Sequence, residues 1–307
     1  MKDERILIVG TGAMACLFAS RLATLVDVVM LGTWQEGIQA LQERGVRILE
    51  SDGEERRFSV TATDNPAECY GTEDALVLVK SWQTARAADQ LANCLEDDGI
   101  ALTLQNGMGN LEKLQERLGK GRAALGVTTT GATLLEPGLV RMGGSGPTHI
   151  VPRARLERLV SWLRQAGFVI HESNDLEGLV WGKLVVNAGI NPLTAMLRVP
   201  NGELLERKDA TLLMQAAAKE VVAVAEAKGV QLPFEEPELE VVNVAHNTAK
   251  NHSSMFQDIL RGAPTEIDAI CGAIVREGHR LGVSTPVNET FWHLVRALAD
   301  TNKEAQG

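Results

Sequence analysis

Ile6-Leu7-Ile8-Val9-Gly10-Thr11-Gly12-Ala13-Met14-Ala15 is a short apolar run that opens into a glycine turn. The run reads as a buried strand, and helical spacing begins at residue 13. Between them the spacing is G-x-G-x-x-A. Gly10 permits a tight turn, Gly12 lets backbone amides approach a pyrophosphate, and Ala15 is small enough for close helix–sheet packing. The N-terminus of the helix then offers partial positive charge and free N–H donors. Gly10, Thr11, Gly12, Ala13, Met14 and Ala15 therefore read as the phosphate turn of a dinucleotide-binding domain. The competing readings are a purely structural glycine turn or a site for another nucleotide. The second strand should end in an acid for a ribose hydroxyl or a base for a 2′-phosphate. It ends instead in Leu31-Gly32-Thr33-Trp34, and Glu36 is the first charge, so the fingerprint alone does not choose between NAD and NADP.

Outward from this turn the first half alternates apolar runs with helical segments. Val28–Leu31, Ala75–Val79 and Ile100–Leu104 lack period-2 alternation, as strands of a parallel sheet covered on both faces do. Segments 13–25 and 84–95 have helical spacing, so the order is that of a doubly wound α/β sheet. Residues 45–61 differ: Val46, Ile48, Phe58 and Val60 alternate around Ser51-Asp52-Gly53, which predicts an inserted hairpin. From about residue 175 the pattern turns helical. Leu212, Leu213, Ala216, Ala217, Val221, Val224 and Ala225 recur at helical spacing before Gly229. Ile267, Ile270, Cys271, Ile274 and Val275 do so in a helix expected over 265–281, which Gly282 stops. The domains expected are a dinucleotide-binding Rossmann domain over 1–174 and an all-α domain over 175–307.

The 307 residues are 45% hydrophobic and 23% charged, an ordinary globular composition, with a net charge of −10. Nucleic-acid and anionic-membrane binders need a basic footprint, so neither is expected. Cys16, Cys69, Cys94 and Cys271 form no C-x-x-C pair, so no metal site is expected and free thiols in a cytoplasmic protein are. Ile6–Val9 is too short for a signal-peptide core, and no run approaches transmembrane length.

The second half carries a lysine in an apolar helix, Leu179-Val180-Trp181-Gly182-Lys183-Leu184-Val185-Val186-Asn187. It either snorkels at a domain seam or is a partly buried amine whose lowered pKa suits proton transfer. Asn187 shares its helix face. Asn191 precedes Pro192, which should interrupt this helix or start another, so Asn191 reads as an N-cap or as a residue turned toward a ligand. Thr265 and Asp268 fit a capping box, with Glu266 in the first turn, where the helix dipole favours a carboxylate. Ser253 and Ser254 read as turn or cap residues.

Taken in order, these segments resemble the 2-dehydropantoate 2-reductase (ketopantoate reductase) family along nearly the whole chain. The landmarks are residues 10–15, Val79-Lys80-Ser81-Trp82-Gln83, Gln105-Asn106-Gly107-Met108-Gly109, Trp181–Asn187, Asn191-Pro192-Leu193-Thr194-Ala195, Pro200-Asn201-Gly202-Glu203, Ser253–Asp258 and Thr265–Asp268. The resemblance implies a Rossmann domain followed by a helical domain of the 6-phosphogluconate dehydrogenase-like kind. It implies NADPH-dependent reduction of a small-molecule 2-keto acid, ketopantoate, to (R)-pantoate, on the way to pantothenate and coenzyme A. Lys183 is then the general acid. Glu266 contacts substrate hydroxyl and cofactor ribose. Asn187, Asn191, Asn201 and Ser254 hold the substrate, and Asn106 lies between substrate and cofactor. Lys80 helps bind the 2′-phosphate, and Ala132 lines the cofactor cleft.

One position departs from the family pattern. Where well-known members carry an arginine for the 2′-phosphate, this chain has Thr33. NADP(H) is the cofactor expected, held by Lys80, and NAD(H) stays open. The alternatives are a reductase of another 2-keto acid, a non-catalytic dinucleotide sensor, and a Rossmann-like methyltransferase. A sensor has no need of Lys183, Asn187 and Glu266 in these contexts; a methyltransferase would carry an acid at the end of the second strand. The apolar faces of the second half could pack internally or across a homodimer.

Overall fold

The computed structural model describes residues 4–50 and 52–304. It divides into two compact units: Met1–Gln105 with Asn110–Leu176, and Asn106–Gly109 with Glu177–Gly307.

The first unit runs β1 (Arg5–Val9), α1 (Ala13–Leu22), β2 (Asp27–Leu31), α2 (Gln35–Arg44), β3 (Val46–Leu49), β4 (Glu55–Phe58), β5 (Thr61–Thr63), β6 (Thr72–Val77), α3 (Thr84–Ala92), β7 (Leu95–Thr103), α4 (Asn110–Leu118), β8 (Ala123–Thr128), β9 (Gly131–Glu136), β10 (Leu139–Gly144), β11 (Thr148–Ile150), α5 (Glu157–Gln165) and β12 (Ile170–Glu172). Its main sheet has the order β12-β11-β8-β7-β6-β1-β2-β5. Every neighbouring pair is parallel except β8 with β11. The absence of alternation in the strands has a direct counterpart in the packing. Ile6 and Ile8 belong to one core, on α1 and α5, while Leu7 and Val9 belong to another, on α3 and α4. Full burial of such side chains contributes on the order of 2 kcal/mol each. The strand order reverses at β1, between β2 and β6. Ligands of open α/β sheets bind outside the carboxyl ends of the strands at such a switch point.

The hairpin expected at 45–61 forms, with Val46 opposite Phe58 and Leu49 opposite Glu55. Ser51, the first residue of its turn, lies outside the described residues. The hairpin is part of something larger, a second sheet ordered β4-β3-β10-β9. Here β3 pairs in parallel with β10, and the sheet packs on α1 through β3, β9 and β10.

The second unit is built of α6 (Glu177–Leu197), α7 (Lys208–Lys228), α8 (Pro237–Asn247), α9 (Ser254–Leu260), α10 (Cys271–Leu281) and α11 (Pro286–Glu304). Helices α6 and α7 approach closely because Gly189 faces α7: a Cβ there would lie 3.1 Å from the Met214 carbonyl oxygen. Gly229 and Gly282 end α7 and α10 in the left-handed conformation, at φ 80° and 73°.

Three local expectations are corrected. Asn191 is not an N-cap, because α6 continues through Pro192. Buried residues run unbroken from Ala188 to Ala195, and their packing outweighs the hydrogen bond that proline removes. The buried stripe of α7 is Ala210, Met214, Ala217, Ala218, Val221, Val224 and Ala225. Leu212 and Leu213 sit off that stripe and are exposed. The helix expected over 265–281 is α10, which starts at Cys271, not at 265. The Asp268 carboxylate accepts a 2.7 Å bond from Trp292 Nε1 of α11 instead of capping its own helix. Residues 266–270 form a separate turn in which the Ala269 and Ile270 amides donate to the Glu266 carbonyl.

All four cysteines are free and buried. Among the described residues no helix is long and apolar enough to cross a membrane, and no cluster of three His, Cys, Asp or Glu side chains could hold a metal.

Candidate active site

In the first unit the site is backbone. Gly10 follows β1 at φ 132°, and its amide donates to the Leu31 carbonyl at 2.8 Å. A Cβ at Gly10 would lie 3.0 Å from the Leu78 carbonyl oxygen, so neither the conformation nor the space admits a side chain. Gly12 caps α1 with extended backbone and no side-chain cap, and the first turn contains no acid. A Cβ at Gly12 would meet nothing within 4 Å. The N-terminus of α1 thus keeps its free N–H groups and partial positive charge, facing open space. That cradle fits a pyrophosphate. Thr11 and Ala15 are buried behind it, while Ala13 and Met14 are partly buried.

Thr33 is exposed just past β2. Its neighbours are polar or acidic: the Trp34 indole donates to Glu36, and Gln35 Nε2 donates to Asp64 at 2.8 Å. Lys80, partly buried, follows β6 as the N-cap of a short 3-10 turn, Ser81–Gln83. Ala132 lies on β9, opposite Met142 of β10.

In the second unit the site is side chains. Lys183 projects from the second turn of α6, flanked by buried Trp181, Gly182, Leu184 and Val185, and is itself half-buried. Burial lowers its pKa from 10.5 to about 8, and the Glu266 carboxylate opposes that shift. Glu266 is only 5% exposed. It stands on the turn that replaces the expected helix start, so the dipole reading of its position does not apply. Asn187 and Asn191 follow Lys183 at four-residue steps along one face of α6, Asn187 half-buried and Asn191 buried.

Asn201 opens a 3-10 turn braced against the segment after α8. Its amide donates to the Asn251 carbonyl at 3.0 Å, and its Nδ2 donates to Thr248 Oγ1 at 2.8 Å. Its Oδ1 is buried with no hydrogen-bond partner. Ser253 is the N-cap of α9: its Oγ accepts from the Phe256 amide at 3.1 Å and lies 2.7 Å from Thr194 Oγ1 of α6. Ser254 is the first residue of α9 and half-buried.

Asn106 belongs to the second unit, which the sequence did not reveal. Its loop is tied down by the Met108 amide, which donates to the Ala269 carbonyl at 2.9 Å. Gly107, at φ 80°, is pressed so close to Ala269 that a Cβ would lie 2.6 Å from that carbonyl oxygen. The Asn106 loop and the Glu266 turn are therefore neighbours. Thr248 and Thr194, which hold Asn201 and Ser253, were also missed. Thr194 is a hydroxyl in the apolar run of α6, whereas Thr248, just past α8, stands in a polar stretch that gives it no signal of its own.

Comparison with known proteins agrees along the chain. A family model described as Ketopantoate reductase PanE/ApbA matches residues 6–155, and the C-terminal model of that family matches residues 175–299. The 2-dehydropantoate 2-reductase of Halobacterium salinarum is 34% identical, over 95% of this chain and 98% of its own. That of Archaeoglobus fulgidus is 35% identical, over 97% and 99%. Among solved structures, a PanE/ApbA family ketopantoate reductase from Ralstonia eutropha superposes with a TM-score of 0.90 at 30% identity, covering 97% of this chain and 99% of the other. D-mandelate dehydrogenase with NADH and anilino(oxo)acetate superposes with a TM-score of 0.91 at 25% identity and the same coverage.

Proposed function

Since this chain belongs to the ketopantoate reductase family, we propose that it reduces 2-dehydropantoate to (R)-pantoate with NADPH, a step toward pantothenate and coenzyme A. The observation that carries the reading is Lys183, an amine half-buried in an apolar helix with its pKa lowered to about 8 by burial. Such a group is charged at neutral pH yet releases its proton readily, as a general acid must.

The dinucleotide, when bound, supplies a hydride to the C2 ketone. The carbonyl oxygen then gains negative charge, which the Lys183 ammonium stabilises and neutralises by giving up its proton; the amine is reprotonated from water. Glu266 keeps the amine cationic between turnovers and receives the substrate hydroxyl. The buried, unpartnered Oδ1 of Asn201 is suited to accept a hydrogen bond from a hydroxyl. Asn187, Asn191 and Ser254 orient the remaining polar groups without the desolvation cost of further charges. Asn106 lies between substrate and cofactor, and Ala132 lines the cofactor side. Lys80 takes the part of the missing arginine toward the 2′-phosphate, with the Thr33 hydroxyl assisting.

A second reading is a reductase of a different 2-keto acid, working with NADH. The likeness to D-mandelate dehydrogenase favours it, together with Thr33 and the acids Glu36 and Asp64 near the end of β2. Steady-state kinetics with NADPH and NADH across several 2-keto acids separate the two. The main reading expects the highest kcat/KM for 2-dehydropantoate with NADPH. A higher value for an aromatic 2-keto acid with NADH would replace it.

A further inference from the structure

Just past the carboxyl ends of β6 and β7 lies a buried polar network that the reaction above leaves unexplained. Its centre is Gln105, two residues beyond β7. The Oε1 of Gln105 accepts from Thr103 Oγ1 at 2.8 Å, and its Nε2 donates to the Val79 carbonyl and to Thr84 Oγ1, both at 2.9 Å. The Thr84 hydroxyl in turn lies 2.8 Å from Asn110 Oδ1 and 3.0 Å from the Ser81 carbonyl. Thr84, Thr103, Asn110 and Ser81 are all buried. The amide has one orientation, because turning it would set Oε1 against the Val79 carbonyl, acceptor against acceptor. A network satisfied in this way within a low dielectric is rigid.

What it holds is the segment 78–81. The ladder between β6 and β7 ends at Val77 opposite Thr103. Beyond it, the Gln105 side chain takes the place of a ladder partner for Val79. The Leu78–Val79 peptide is also the surface on which the phosphate turn rests: a Cβ at Gly10 would lie 3.0 Å from the Leu78 carbonyl oxygen and 3.3 Å from the Val79 nitrogen. Lys80 is the next residue. One short stretch thus supports the phosphate turn and carries Lys80, and Gln105 fixes it.

We propose that Gln105 is a positioning residue for the dinucleotide: through Val79 and Thr84 it sets the backbone that backs Gly10 and presents Lys80. The proposal rests on the dinucleotide reading above but not on the identity of the keto acid. Fluorescence titration of the full chain with NADPH tests it without any turnover.

Gln105→Leu, which removes both donors and the acceptor, should raise Kd about tenfold. Gln105→Glu, the same size without the donor to Val79, should do likewise. Thr84→Val should raise Kd about threefold. At saturating NADPH, kcat should fall far less than affinity. The double variant Gln105→Leu with Lys80→Ala should lose less than the product of the single losses, because one acts through the segment that carries the other. Kd within about twofold of wild type for both Gln105 variants overturns the proposal, since two lost hydrogen bonds should exceed that. So do fully multiplicative losses in the double variant where Lys80→Ala alone weakens binding, or a fall in kcat as large as the loss of affinity. Should Gln105→Leu fail to fold, Gln105→Glu and Thr84→Val decide. An unchanged Kd for Lys80→Ala alone removes Lys80 from the 2′-phosphate, while the Gln105 single variants still judge this claim. Wild-type protein that binds no dinucleotide sinks both.

Discussion

Under the proposed function, the turn at Gly10–Ala15 and the helix that carries Lys183 do their work with different parts of the chain. The turn presents backbone amides, and its residues matter mainly for what they lack: a Cβ at Gly10, a side chain at Gly12, an acid in the first turn of α1. The helix α6 presents side chains, and its residues matter for groups that sit uneasily where they are: an amine among apolar neighbours, an asparagine in a buried stretch. A backbone site depends on local conformation, so its signature is a spacing. A side-chain site depends on what burial does to a functional group, so its signature appears only when the surroundings are known. The two regions should therefore fail differently when changed.

The largest effect is expected at Lys183. Lys183→Ala should lower kcat at least ~100-fold, with dinucleotide Kd little changed. Near-normal turnover would take the acid role away. Gly10→Ala is the mirror experiment. Backbone strain of about 1–3 kcal/mol should raise dinucleotide Kd roughly 5- to 150-fold while kcat at saturation suffers less. If each variant damaged the other's parameter, the division between the two regions would collapse. Next is Asn201→Ala, which removes the buried acceptor. It should raise KM for the keto acid by about two- to tenfold, the worth of one hydrogen bond.

The pH dependence follows from Lys183. A general acid works while protonated, so kcat should be flat below its pKa of about 8 and fall above it. Because the Glu266 carboxylate raises that pKa, Glu266→Gln should move the alkaline limb to lower pH. A limb that stays in place would uncouple the pair. The smallest effect is on stability. The folded pKa of Lys183 lies below that of an unfolded lysine, near 10.4, so between these values the unfolded chain binds more protons and stability rises with pH. Thermal melts of wild type against Lys183→Met from pH 8 upward should show the wild type gaining. A parallel pair of curves would mean that the amine is not desolvated in the fold.

The same contrast explains what could be read from the chain alone. The phosphate turn and the buried strands were legible because spacing and apolar runs are local properties. Lys183 was conspicuous because a charge interrupts an apolar helix. The second sheet was not legible, because β3 finds its partner β10 some ninety residues on, and no local pattern encodes that pairing. The capping box at Thr265–Asp268 matched its motif and still did not form, because Trp292 of a later helix takes the Asp268 carboxylate. Asn191 looked like a cap because Pro192 follows it, and tertiary packing carried the helix through. The attachment of the Asn106 loop to the second unit depends on the Met108 amide and Ala269, which only the folded chain brings together.

The most direct test of the central claim is dinucleotide oxidation by the purified wild-type protein on addition of 2-dehydropantoate, with chiral analysis of the product. The expected result is stoichiometric conversion of NADPH and keto acid to NADP and (R)-pantoate. No turnover with either NADPH or NADH would contradict it.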